Sequence, residues 1–236
     1  MAAVTAILET RGLSRNFGGL KAVTDVDFTL EAGEIRAVIG PNGAGKTTFV
    51  GLISGRVAPS AGTILFEGAD ISHLPAFRRV RLGIAYTFQI TSIYAKLTVA
   101  ENVDLASHQR GTTDTRSCLE QVGLGDRASQ VAGTLAYGHQ RLLEVAMGLA
   151  LRPKLLILDE PTQGLSDGEI DNFIELVRTL SKRATVLLIE HNMPVVMSLA
   201  HRITVLDRGS ILAEGTPEAI RANPAVQAAY LGTADA

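Results

Sequence analysis

The run "GPNGAGKT", Gly40 to Thr47, sets three glycines, a lysine and a hydroxyl at the spacing G-x-x-x-x-G-K-[ST]. That combination suits a polyphosphate. Gly43 and Gly45 let the backbone amides, Asn42 included, curl round a β-phosphate at the positive end of the helix that follows. Lys46 then reaches the β- and γ-phosphates, the Thr47 hydroxyl holds Mg2+, and the Thr48 hydroxyl meets the α- or β-phosphate. The competing reading is an accidental glycine-rich turn between strand and helix. An apolar run before the loop and another after it favour the phosphate site.

Asp159 and Glu160 close the stretch "LLILDE". The apolar residues before them mark a buried parallel strand, whose carboxyl end is where ligands sit in such sheets. From there Asp159 can orient Mg2+ or its bound water. Glu160 can face a γ-phosphate and accept a hydrogen bond from an attacking water. The plain alternative is a solvated strand end that happens to carry acids. His191 follows "TVLLIE" in the same way. A neutral imidazole there can hydrogen-bond a γ-phosphate and register its loss, although a lone histidine at a strand end is more often structural. Gln89 falls where strands give way to helices, and its amide oxygen can touch Mg2+ or water while its loop moves. His73, His108, His139 and His201 have no ligand spacing, so zinc is not implied.

Such groups need a sheet to carry them. "KAVTDVDFTLEAGEIRAVIG" alternates at Val23, Val26, Phe28 and Leu30, turns at Ala32–Gly33, and enters a buried strand over Ile35–Ile39. "KTTFVGLISG" reads as a helix ended by Gly55, "GTILFEGADI" as a strand, and "GIAYTFQ" as another. The pattern then turns helical: Thr98 and Glu101 stand at capping-box spacing, "SCLEQVGL" starts a short helix, and a longer one follows Gly138. Strands resume at Leu155–Leu158 and Val186–Ile189, with an amphipathic helix between them. A hairpin turning at Asp207–Gly209 and two short helices, from Pro217 and from Pro224, complete the chain. This alternation predicts an α/β fold with a mostly parallel sheet, an antiparallel N-terminal β region and an inserted helical lobe.

Bulk properties set the frame. The chain has 236 residues, 46% of them hydrophobic, and no Trp, so the core is expected to be Val, Leu, Ile and Ala. Lys and Arg total 22 against 24 Asp and Glu, and that balance does not mark a nucleic-acid binder. The basic cluster "RRVR", Arg78 to Arg81, reads as a solvated helix face. Cys118 has no internal partner and reads as a small buried residue in a reducing compartment. The N terminus lacks the basic segment of a secretory signal, and no run approaches the roughly 18 apolar residues that span a bilayer.

One segment has no chemistry of its own. "LAYGHQR", Leu135 to Arg141, reads as a glycine-centred turn ahead of the long apolar helix. In order, the phosphate loop, Gln89, "LAYGHQR", "LLILDEP" and His191 give the chain a clear resemblance, from Leu8 to Gly232, to the nucleotide-binding subunits of ATP-binding cassette transporters. More narrowly, it resembles the ATPase subunits of branched-chain amino-acid importers and their urea and amide relatives. The resemblance implies a P-loop NTPase core over residues 1–89 and 154–236 and a helical subdomain over 90–153, together one ATP-binding cassette spanning 1–236. It implies ATP and Mg2+ as cofactors, with Phe17 stacking on adenine. Gln89 is then the lever between Mg2+ and the permease, Asp159 the Mg2+ acid, Glu160 the general base and His191 the switch histidine. It also explains the turn: Ala136, Tyr137, Gly138, His139 and Gln140 contact the ATP held by a second subunit packed head-to-tail.

Two departures fall on the surface shown to that second subunit. Ala136 stands where the family usually has serine, and Ser166 in "GLSD" where it commonly has aspartate. They favour a heterodimer, with a homodimer as the alternative. The implied assembly includes integral-membrane permease subunits and, indirectly, a periplasmic solute-binding protein, with the chain on the cytoplasmic face of the inner membrane. The rival is a soluble cassette ATPase switch acting on nucleic acid or a protein complex. It is disfavoured by the absence of a tandem copy, a coiled-coil insertion or a basic tail. A second rival binds ATP with degenerate hydrolysis; Glu160 and His191 speak against it, and Ala136 for it.

Overall fold

The computed structural model describes residues 5–87, 92–108 and 114–231. Two long strands, β1 (Ala6–Phe17) and β2 (Leu20–Glu31), form a hairpin with Phe17 opposite Leu20. Their inward residues Leu8, Leu13, Val26, Phe28 and Leu30 are buried. β3 (Ile35–Ile39) is buried at every position and leads through the phosphate loop into α1 (Lys46–Ser54). α1 ends at Gly55, whose left-handed backbone returns its N–H to the Gly51 and Leu52 carbonyls. β4 (Ala61–Phe66) and β5 (Ala69–Asp70) extend the hairpin into a four-stranded antiparallel sheet, ordered β2-β1-β4-β5.

After α2 (Ala76–Leu82) and β6 (Ile84–Tyr86) come three helices, α3 (Val99–Ser107), α4 (Thr115–Gln121) and α5 (Tyr137–Ala150). The Thr98–Glu101 capping box starts α3, as its spacing predicts. The chain returns through β7 (Leu155–Asp159), α6 (Asp167–Leu180), β8 (Thr185–Ile189), α7 (Met193–Leu199), β9 (Arg202–Asp207) and β10 (Ser210–Gly215). It closes with α8 (Pro217–Arg221) and α9 (Pro224–Leu231). The second sheet runs β10-β9-β3-β8-β7-β6. Every pairing in it is parallel except that of β9 with β10. The fold is therefore the expected α/β P-loop arrangement, with helices inserted between β6 and β7.

The parallel strands are buried on both faces, and each face feeds its own cluster. On one side Leu156, Leu158, Val186 and Leu188 meet Val99, Val103, Leu119 and Leu143 of the inserted helices and Phe173 and Val177 of α6. On the other, Leu155, Ile157, Leu187 and Ile189 meet Phe49 and Leu52 of α1 and Phe28 of the antiparallel sheet. Cys118 lies buried among the first group, as a small core residue.

Three local readings need correction. Gly138 is not a turn: it is the second residue of α5. A Cβ there would come within 2.7 Å of the Leu165 side chain and 2.9 Å of the Gly164 carbonyl, so a close approach fixes the glycine. Glu160 lies just past the end of β7, in a left-handed backbone conformation at φ +49. Within "RRVR", Arg79 does not face solvent. It is buried and donates to the carbonyls of Leu52 and Ile53, near the end of α1, and of Ser72 and Leu74. The last carbonyls of a helix lack intrahelical partners, and this guanidinium supplies them. Burial lowers its pKa to about 10.

Candidate active site

β3 sits between β8 and β9, so the phosphate loop leaves the centre of the sheet at its carboxyl edge. The loop is wedged between main chains. A Cβ on Gly45 would lie 2.3 Å from the Ala22 carbonyl of β2, and one on Gly40 would lie 2.1 Å from the Leu206 carbonyl of β9. Gly209 donates its N–H to the Ala44 carbonyl at 3.0 Å. Gly45 is the N-cap of α1 and no side chain caps that end, which leaves the amides and the helix dipole for an anion. Asn42, Gly43 and the Thr47 side chain are exposed there, with Thr48 half-buried. Lys46 folds back to donate to the Gly40 and Pro41 carbonyls at 2.6 and 3.0 Å. Burial lowers its pKa, against the opposing pull of Glu160 and Asp159.

Both acids belong to the neighbouring strand end. Asp159, the last residue of β7, is 1% exposed, and its Oδ2 accepts a 2.6 Å hydrogen bond from the Tyr86 hydroxyl. Burial raises its pKa; the bond from Tyr86 lowers it and the nearby Glu160 charge raises it further. Glu160 is pinned by its own N–H, which donates to the Ile189 carbonyl at the end of β8 at 2.8 Å. That bond brings its Oε1 to 3.8 Å from Nδ1 of His191, whose side chain is 65% exposed. Parallel pairing of β7 with β8, Asp159 beside Ile189, thus brings two separate sequence signals to one edge. Tyr86 carried no signal in the sequence; only the pairing of β6 with β7 brings it to Asp159.

Phe17 ends β1 with its ring 44% exposed, and the Arg15 guanidinium stacks 4.4 Å from the ring centroid. Its hairpin partner β2 is the strand that touches Gly45. Gln89 lies outside the described residues.

Ala136 caps α5 without any side-chain hydrogen bond, so the first turn, Tyr137, Gly138 and His139, starts uncapped. Gln140 donates its side-chain amide to the Leu135 carbonyl. The start of α5 rests on the segment that follows Glu160: Gly138 abuts Gly164 and Leu165, and His139 Nε2 lies 3.2 Å from Glu169 Oε1. Ser166 has a local task as N-cap of α6, paired with Glu169 in a capping box. The structure therefore gathers Lys46, Asp159, Glu160 and His191 along adjoining strand ends. It seats Ala136–Gln140 on the loop beyond them.

The donor set fits a magnesium-bound triphosphate. Among the described residues no group of three or more His, Cys, Asp or Glu is placed to hold a metal. Asp159 and the Thr47 hydroxyl are oxygen donors of the kind Mg2+ takes alongside phosphate oxygens and water.

A family model described as "ABC transporter" matches residues 23–163, and one described as "Branched-chain amino acid ATP-binding cassette transporter" matches residues 210–236. The high-affinity branched-chain amino acid transport ATP-binding protein BraF of Pseudomonas aeruginosa is 41% identical, over 97% of this chain and 98% of its own. LivG of Escherichia coli K12, similarly described, is also 41% identical over the same shares. A probable LivG of Archaeoglobus fulgidus is 37% identical, over 97% of this chain and 96% of its own. Among solved structures, the ADP conformation of an ATP-binding cassette of an ABC transporter superposes with a TM-score of 0.88 at 28% identity, covering 97% of this chain and 99% of that one. A nucleotide-free cassette from an ABC transporter gives 0.88 at 27%, covering 96% and 99%.

Proposed function

The chain belongs to the ATP-binding subunits of the ABC transporter family, and from that premise we propose that it drives an importer of branched-chain amino acids or related small solutes by hydrolysing ATP. The carrying observation is the cluster of Lys46, Asp159, Glu160 and His191, in a chain 41% identical over nearly its full length to amino-acid transport ATPases.

The placement of each residue supports the task proposed for it. Lys46 exchanges the Gly40 and Pro41 carbonyls for phosphate oxygens, and its charge stays beside Asp159 and Glu160. Mg2+, when bound, neutralises charge on those oxygens, with the Thr47 hydroxyl and Asp159 to hold it, directly or through water. The Tyr86 hydroxyl, bonded to Oδ2, orients the Asp159 carboxylate for that task. Glu160 accepts the proton of the attacking water, and His191 beside it hydrogen-bonds the γ-phosphate. Phe17 offers its exposed ring to adenine.

Ala136 to Gln140 contact ATP held by a second ATPase subunit, with the uncapped amides of the first turn of α5 as donors, the Gln140 N–H being already given to the Ala136 carbonyl. Because Ala136 lacks a hydroxyl, the better-equipped site is the one completed by the helix start of a different chain, which favours a heterodimer. The pair acts on permease subunits at the cytoplasmic face of the membrane, fed by a periplasmic solute-binding protein. Supporting the permease contact, a cavity of about 220 Å³ opens between α2, β6 and α5, lined by Val80, Tyr86, Met147 and Leu151. No described helix is long and apolar enough to cross a membrane.

The test is Glu160→Gln. Turnover is expected to fall by about a thousandfold while ATP affinity stays within a few-fold. A variant that hydrolyses ATP at the parental rate would remove Glu160 as base. Purification with the native partners is expected to bring down permease subunits; ribosomal or DNA components instead would overturn the transport reading.

A further inference from the structure

A third carboxylate stands at this edge of the sheet. Glu190 follows the last residue of β8 and is 1% exposed. It takes four hydrogen bonds from two loops. Its Oε1 accepts from the Thr162 amide at 3.1 Å and, at short range, from the Thr162 hydroxyl. Its Oε2 accepts from the amides of His191 and Asn192 at 2.9 and 3.1 Å. All four donors are neutral. One oxygen thus serves the loop that follows Glu160, and the other serves the loop that carries His191.

The clamp closes a short circuit of backbone. Glu160 donates its N–H to Ile189, one residue before Glu190, and Thr162 is two residues past Glu160. Glu160 is thereby held at both ends in its left-handed conformation. On the other side, Asn192 is the N-cap of α7 and accepts from the Val195 amide, so the clamp reaches the start of that helix. A buried carboxylate satisfied on both oxygens is stiff, because releasing either one leaves desolvated groups unpaired.

We propose that Glu190 is a positioning residue for hydrolysis: by bridging Thr162 to His191 and Asn192, it fixes the general base Glu160 and the switch histidine His191 in register with each other. The proposal rests on the roles given to those two residues above. Glu190 itself does not touch substrate. Every partner is a donor, so both oxygens of Glu190 act as acceptors. An amide of the same shape would turn an N–H2 toward two N–H groups or toward the Thr162 donors, and only one half of the bridge could survive.

The experiment compares Glu190→Gln, Thr162→Val and Thr162→Ser with the parent in the assembled transporter, and adds Glu190→Gln in a His191→Ala background. Glu190→Gln should lower kcat by about tenfold to a hundredfold, the loss typical of an outer-shell group that orients an inner one. The KM for ATP should stay within about twofold. Thr162→Val should show a smaller loss in kcat, and Thr162→Ser, which keeps the hydroxyl, should restore the parental value. In the His191→Ala background, Glu190→Gln should cost less than in the parent, because only the hold on Glu160 is left to lose. Amide exchange read on the purified chain should show residues 160–163 and 190–193 losing protection together in Glu190→Gln.

A kcat that stays parental while only the melting temperature drops would overturn the proposal. So would exchange that rises in one segment and not the other. An inactive parent would instead count against the proposed function. The bridge would then be judged by the exchange result alone, with coupled loss supporting it and independent loss refuting it.

Discussion

Asp159 carries a charge into an interior that resists it. Its carboxyl is held above the ordinary value of 3.8, chiefly by burial, so the folded chain binds that proton more tightly than the unfolded chain does. The sign follows: below about 3.8 the group costs nothing, and the cost grows as pH rises through the raised folded value. Asp159→Asn keeps an acceptor for Tyr86 and removes the charge. It is expected to stabilise the nucleotide-free protein at neutral pH by on the order of 1 kcal/mol. The gain should shrink as the pH falls toward the carboxylate range. Parallel denaturant titrations of the pair across pH check this, and a gain independent of pH would refute it. The same variant should lose Mg2+-dependent ATP binding, as befits a group retained for its ligand at the expense of the fold.

Among the elements, α5 has the most to gain from one atom. Its N-cap, Ala136, already has the extended backbone of a capping residue, at φ −58 and ψ 151, and lacks only the oxygen. Ala136→Ser is expected to add about 1 kcal/mol to the stability of the isolated chain. Thermal melts would detect it, and an unchanged midpoint would show that the first turn is satisfied otherwise. The elements also show where a linear reading succeeds. Apolar runs ending in Asp159 or Glu190 announced strands, Thr98 and Glu101 announced α3, and the glycine-lysine loop announced the start of α1, because each signal is local. β1 went unannounced because register shifts between Thr10 and Leu13 and between Leu13 and Arg15 break its alternation. Arg79 looked solvated because its charge says nothing of the helix end 26 residues earlier whose carbonyls it satisfies. Tyr86 and Glu190 were illegible for the same reason: their partners, Asp159 and Thr162, lie 73 and 28 residues away.

For the whole molecule, the proposed assembly has Lys46, Asp159, Glu160 and His191 hold the nucleotide from one side while a second subunit supplies further donors. Mixed with its natural ATPase partner, the Glu160→Gln chain is expected to form a 1:1 complex that requires MgATP and dissolves when Mg2+ is chelated. Sedimentation would separate this from self-association, and an equally tight complex of the chain with itself would favour the symmetric assembly. The inserted helices share a buried cluster with α6 and one face of the sheet, so they should exchange protons with solvent as part of the body, not as a separate lobe. The seam around the phosphate loop has a further consequence. At Gly40, Gly45 and Gly209 a single methyl group would fall within 3 Å of a carbonyl oxygen, from Leu206 in the first case and Ala22 in the other two. In a saturation library scored for abundance alone, with no nucleotide chemistry in the readout, these three columns should be nearly blank, while Arg208, its side chain 94% exposed but its backbone left-handed at φ +47, should accept most residues except proline and the β-branched ones. Drift along this chain is silenced there by architecture before selection for work ever begins.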